Sequence, residues 1–215
     1  MLRSLKQLYG EKLGATDGEI GRIKDFYFDD QNWAIRYLVA DTGDWLTGRQ
    51  VLIPPRSLAS PSASGKVMRV SLTRKKIEKS PSVESYKGFS PQFEEEYQKH
   101  YGRLAHPKNA AMGTVGPKPE REIHMHSAQA VNGYLFRIGE KTTGQICDFM
   151  IDAESWTIGQ LVVRTGHRFS GKEMLIETKQ VERISHDEST VFARPLEEAS
   201  GQGPAEHLAS IGIAL

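Results

Sequence analysis

The 215-residue chain has a single cysteine, Cys147, so no disulfide can form within it and it needs no oxidising compartment. Long apolar runs are missing as well. Nowhere do about eighteen uncharged apolar residues stand together, and the opening Met1-Leu-Arg-Ser-Leu-Lys-Gln-Leu lacks the apolar core of a signal peptide. No membrane span is expected, and a soluble cytoplasmic protein is. Ala209 to Leu215 is apolar but too short to cross a bilayer, and is expected to pack on the body or fray. Nor is there an excess of one charge. Twenty-eight Lys and Arg stand against 27 Asp and Glu, a net charge of +1, so no global field favours nucleic acid or an anionic membrane, although a local basic patch remains allowed. Nucleophile-elbow, dinucleotide and zinc signatures are absent. What is there is ordinary globular material, 38% hydrophobic and 26% charged, enough to build a core.

The informative feature is an internal repeat. Gly21-Arg-Ile-Lys-Asp-Phe-Tyr-Phe-Asp-Asp-Gln-Asn-Trp33 lies over Gly144-Gln-Ile-Cys-Asp-Phe-Met-Ile-Asp-Ala-Glu-Ser-Trp156, an offset of 123 residues. The register continues without a gap: Ile35 meets Ile158, Leu38-Val39 meets Leu161-Val162, Thr42-Gly43 meets Thr165-Gly166, and Leu52-Ile53 meets Leu175-Ile176. Two long copies do not make a solenoid, which stacks short units, so two whole domains are expected.

Each copy reads as short strands. Asp17-Gly18 signals a tight hairpin, Asp29-Asp-Gln-Asn a second turn, and Trp33, Ile35, Tyr37 and Val39 alternate with Ala34, Arg36, Leu38 and Ala40 at the period of a strand. With Gln50 to Ile53, stopped by Pro54-Pro55, and Lys66 to Leu72, about five strands result. Closely spaced short strands favour a small barrel. The chain divides into a first barrel at 1–79, a linker at 80–120, a second barrel at 121–200 and a tail at 201–215. Within the linker, Ser90-Pro91 supplies an N-cap and first-turn proline, Glu94 to Glu96 sit at the positive helix end, and Gly102 is a stop, predicting a helix near 91–101. Phe93, Tyr97 and Tyr101 recur every four residues on one face, expected either to pack on the protein's own barrel or to dock a partner. Ala105 to Pro119 reads as a flexible connection.

The segment Gly14 to Gly43 resembles the PRC-barrel superfamily, whose barrel occurs in the cytoplasmic domain of the photosynthetic reaction-centre H subunit and at the C-terminus of a ribosome maturation factor. With the linker Phe93-Glu-Glu-Glu-Tyr-Gln-Lys-His-Tyr-Gly102, the chain also resembles bacterial stand-alone proteins with two such barrels. The resemblance is strong in the first copy and looser in the second, where Gly139-Glu-Lys-Thr replaces the Asp-Gly turn. It implies a mainly β protein of two barrels with about five to six strands each, used for protein contacts, and carries no catalytic motif.

Candidate chemistry is sparse. Asp25, Asp29, Asp148 and Asp152 repeat an Asp-x-x-x-Asp spacing that returns to one face of a strand, so a cation site is conceivable, but a structural turn role is favoured. Gly166 to Glu173 resembles a phosphate loop but lacks the Ser or Thr after Lys172 and the following helix. His124-Met-His126 points two histidines to one side without further ligands, and Cys147 is expected to be a buried inert thiol. Trp45, Leu46 and Phe169, large apolar residues in equivalent loops, form with Phe93, Tyr97 and Tyr101 a candidate interaction surface. The expected function is a non-enzymatic interaction or assembly module without cofactor or metal, its partner an unknown protein, with a homodimer or a docked barrel pair allowed. An RNA- or ribosome-associated maturation factor and an accessory of a photosynthetic or electron-transport complex are the alternatives, nucleic acid being disfavoured by the charge balance.

Overall fold

The computed structural model describes residues 2–59, 67–81, 89–105, 125–166 and 171–195. The first half contains β1 (Leu2–Ser4), β2 (Lys12–Ala15), β3 (Gly18–Asp29), β4 (Ala34–Asp41), β5 (Gln50–Ile53), β6 (Val67–Arg69) and the short helix α1 (Arg74–Glu78). Helix α2 (Pro91–Tyr101) occupies the linker. The second half follows as β7 (Met125–Ser127), the one-turn α3 (Ala128–Val131), β8 (Leu135–Ile138), β9 (Lys141–Asp152), β10 (Thr157–Thr165), β11 (Lys172–Glu177), β12 (Val181–Ser185) and β13 (Thr190–Ala193).

The repeat is carried into three dimensions element by element. Strand β9 lies on the positions of β3 shifted by 123, and β7, β8, β10, β11 and β13 likewise cover those of β1, β2, β4, β5 and β6. Even an unfavourable backbone state is repeated. Trp33 and Trp156 both adopt left-handed φ values, 57° and 56°, rare for so bulky a residue and tolerated here because both side chains are locked in the core. The signalled hairpin turns at Thr16-Asp17, with Gly18 already paired to Ala15, and the second half forms the equivalent hairpin at Gly139-Glu140, with Ile138 opposite Lys141 and a bulge where the first copy has one. Gly139 adopts a positive φ, 57°, at the position held by Thr16 in the first copy.

The chain is mainly β, as expected, and the two halves are joined through their strands. They share one open mixed sheet running β12-β13-β8-β9-β10-β4-β3-β2-β6, with β11 on β10 and β5 on β4. The pairs β2/β6 and β8/β13 are parallel and the rest antiparallel. Within each half the sheet curls, because a 3-10 turn (Pro55–Ser57, Thr178–Gln180) bends the chain after β5 or β11. Beyond the bend, Leu58 bridges Val70, and β12 pairs with β13.

The join is a reciprocal exchange. Strand β1 pairs not with its own half but with β9, and β7 pairs with β3. At the centre, Ala34 of β4 faces Thr157 of β10, the Ile35 amide donates to the Trp156 carbonyl at 2.8 Å, and the Ile158 amide donates to the Trp33 carbonyl at 2.8 Å. The aromatic core crosses the same line, with Phe26 stacked on Trp156 at 6.1 Å and Phe28 against Phe149 at 5.5 Å. A unit of about 80 residues buries too little apolar surface to be more than marginal alone, and the shared core removes that limit.

The linker helix matches its signals. Ser90 Oγ accepts from the Phe93 amide at 3.2 Å, Pro91 takes the first turn and Gly102 ends the helix at φ 60°. The connection at 106–124 and the tail at 201–215 lie outside the described residues.

Candidate functional site

The repeated aspartates fasten the exchange. Asp25 on β3 accepts from Ser127 Oγ at 2.5 Å and from the Gln129 amide at 3.1 Å, both from the lent segment of the second half, and from the Phe26 amide at 2.7 Å. Asp148 on β9 repeats the arrangement with Ser4 Oγ, the Lys6 amide at 3.0 Å and the Phe149 amide at 2.7 Å. Burial raises the Asp25 carboxyl above the ordinary carboxylate value, opposed by these hydrogen bonds. Asp29 and Asp152 sit at the turns, accepting from the Gln31 and Glu154 amides at 2.9 and 3.0 Å. Each Asp-x-x-x-Asp thus spends its first carboxylate on the neighbouring half and its second on a turn. Among the described residues no group of three or more His, Cys, Asp or Glu side chains is arranged to hold a metal ion.

The linker aromatics are internal. Phe93, Tyr97 and Tyr101 are all buried, Tyr97 meets the Tyr37 ring at 4.7 Å edge-on, and Tyr101 Oη donates to the Leu52 carbonyl at 3.0 Å. Glu94 accepts from Tyr37 Oη and faces the Arg36 guanidinium at 3.4 Å. That stripe therefore covers β4 and β5 and offers no face to a partner. Phe169 lies outside the described residues.

Trp45 and Leu46 remain at the surface. They are half-buried, in a 3-10 turn (Gly43–Leu46) between β4 and β5. The Arg74 guanidinium lies over the Trp45 ring at 4.4 Å. An open groove of about 800 Å³ runs beside them, lined by Trp45, Arg49, Arg74, Lys75 and Lys79, with Asp17 and Glu78. Arg49 donates to the backbone carbonyls of Glu78 at 2.8 Å and Ser80 at 2.5 Å, so these bonds leave its charge unneutralised. A basic rim around an aromatic ring suits a carboxylate or phosphate attached to an apolar group.

Cys147 is half-buried, not fully buried as expected from its strand position: it lines a groove of about 450 Å³ with Arg164 and Gly166. Desolvation and the Glu173 carboxylate raise its thiol, the opposite of what a reactive thiolate needs.

One cluster has no counterpart in the sequence reading. His126 on β7 places Nε2 2.9 Å from Asp30 Oδ2 and Nδ1 2.8 Å from His186 Nε2, while His186 Nδ1 meets Tyr134 Oη at 2.7 Å. His126 is 4% exposed. His186 is exposed, and partial desolvation followed by the nearby His126 lowers it below the ordinary histidine value. The residues come from the β3–β4 turn, β7, the segment before β8 and the β12–β13 turn. His124, the neighbour that suggested a metal pair, lies outside the described residues.

No helix among the described residues is long and apolar enough to cross a membrane. No curated protein matches the chain. Residues 5–78 match the family model of the PRC-barrel domain, from the buried Leu5 just after β1 to the last residue of α1. The chain therefore carries a PRC-barrel domain at residues 5–78.

Proposed function

We propose that the protein is a non-enzymatic interaction or assembly module of two PRC-type units, and that the groove at Trp45 is its contact surface. The observation that carries this reading is the half-exposed Trp45 ring, stacked under Arg74 and rimmed by Arg49, Lys75 and Lys79. Large aromatic residues and arginines together are what contact surfaces concentrate their binding energy in. The second half supports the reading as a further unit of the same kind, because its strands follow the first half at a constant offset, while in the sequence Arg168 stands where the first copy has Trp45. The partner is a protein segment with acidic side chains beside an apolar one.

The test is affinity capture from the source organism with the wild-type chain and with Trp45→Ser. A partner retained by the wild type and lost by the variant, while circular dichroism shows both folded, is the expected result. Capture that is unchanged in the variant, or that disappears on nuclease treatment, refutes the reading; the second outcome turns the basic rim into an RNA surface.

A further inference from the structure

We propose that the His126–His186 pair is a pH-operated latch between the two halves, closed while the pair holds at most one added proton and opened when both rings are protonated. Proton bookkeeping leads there directly. The Asp30 carboxylate can only accept, so His126 Nε2 carries a proton. His126 Nδ1 and His186 Nε2, 2.8 Å apart, then have one hydrogen to share. With both rings neutral, His186 Nε2 donates to His126 Nδ1, Tyr134 Oη donates to His186 Nδ1, and the chain of donors runs from Tyr134 to Asp30 with every group satisfied.

One added proton is absorbed by reversal. His126 then carries both of its protons, His186 Nε2 accepts, and His186 Nδ1 donates to the Tyr134 oxygen. A second proton has no place while the two rings stay hydrogen-bonded. It sets two N–H groups head to head across 2.8 Å and two cations in rings stacked 4.8 Å apart, one of them almost wholly buried. The charged and titratable groups facing the pair are Asp30, Tyr134 and Asp187, with the Phe28 ring of β3 packed on His126 at 5.5 Å. The two carboxylates favour the first proton and leave the second clash in place.

The pseudo-equivalent position shows what a latch without a titratable pair looks like. Shifting His126 and Tyr134 back by 123 gives Arg3 and Glu11, an ion pair at 3.9 Å beside the other exchanged strand, and Ala153 stands where the first copy has Asp30. One exchange strand is thus held by a fixed cation and the other by histidines. Opening at the histidines frees β7 from β3, since His126 is opposite Phe28 in that pairing.

The inference is independent of the Trp45 groove. Its test is hydrogen exchange of the full-length chain at pH 7.5 and pH 5.5, corrected for intrinsic rates, with β1 as internal control. Burial raises the Glu11 carboxyl and the Arg3 charge opposes the rise, so the comparison goes no lower than pH 5.5. Excluding one proton from a group with an ordinary histidine value near 6.5 predicts that β7 protection falls about tenfold relative to β1. His186→Gln, which takes up no proton there, should abolish that difference. Parallel loss in β1 and β7, or a pH dependence that persists in His186→Gln, overturns the proposal. Should that variant fail to fold, ring NMR of the wild type decides: two coupled titration steps with opening at the second support the latch, and independent single steps refute it.

Discussion

Removing the Asp25 carboxylate should loosen the exchange more than removing its twin. Asp25 accepts three hydrogen bonds, two of them from the segment lent by the second half, and it is 9% exposed. Asp25→Ala leaves the buried Phe26 amide and the half-buried Ser127 hydroxyl without their acceptor. At about 1–3 kcal/mol for each buried group left unsatisfied, a loss of about 3 kcal/mol is expected. Asp148→Ala should cost about 1 kcal/mol, because Asp148 is only half-buried and its bonds to Phe149 and Lys6 are part-buried and exposed, so water can replace the lost acceptor. Asp25→Asn keeps an acceptor and removes a desolvated charge, so it should change stability by less than about 1 kcal/mol. The pH dependence follows from the raised carboxyl. The folded state favours the neutral acid, so Asp25 contributes stability below its ordinary value of 3.8 and that contribution is lost as pH rises through the raised folded value. Asp25→Asn should flatten that limb of the stability curve. Urea unfolding of the three variants measures these quantities. Equal costs for Asp25→Ala and Asp148→Ala, or an Asp25→Asn as damaging as Asp25→Ala, would refute the assignment of these carboxylates as unequal clasps.

Four further outcomes are expected. Tyr97→Phe should be neutral or stabilise the protein by up to about 1 kcal/mol, because its fully buried hydroxyl has no hydrogen-bond partner among the described residues, whereas Tyr101→Phe should cost about 1 kcal/mol by breaking its bond to Leu52; parallel thermal melts compare them. Gly21→Ala and Gly144→Ala should each cost more than about 2 kcal/mol, since a Cβ would fall 1.9 Å from the Asp41 carbonyl oxygen in one and 2.4 Å from that of Arg164 in the other; folded yield and melting temperature report this. Trp45→Ser should lower stability by only about 1 kcal/mol, the worth of a half-buried ring and its cation contact, as urea unfolding would show. Cys147 should react with iodoacetamide at pH 7.5 more slowly than a free cysteine, because its raised thiol holds less thiolate; labelling followed by mass spectrometry checks this.

Much of the local structure is legible in the residue order because its causes are local. The hairpin signalled by Asp17-Gly18, which turns one residue earlier at Thr16-Asp17, the caps of α2 at Ser90 and Gly102, and the alternation through β4 each depend on neighbours a few positions away. Asp29 and Asp152 act as their turn context suggests, on amides two residues on. The repeat from Gly21 to Ile53 is equally readable, since a constant offset requires only comparison of the chain with itself, and the structure extends the same offset to elements as small as β1 and β7.

What the tertiary structure decided is which half each segment belongs to. Strands of three residues such as Leu2–Ser4 and Met125–Ser127 carry no periodicity, and their backbone groups pair with whichever sheet edge lies open beside them, here the other half's. That choice joined the two halves into one continuous sheet and gave Asp25 and Asp148 their partners across the join. It also assembled Asp30, His126 and His186 from positions 96 and 60 residues apart, contacts that no spacing rule can reveal because loop closure brings them together only after the strands have paired. The sequence by itself determined two copies of one strand pattern and a capped aromatic helix. Long-range pairing, driven by the need to satisfy edge backbone and to bury a core too small in either half, determined how the copies interlock and where titratable groups meet.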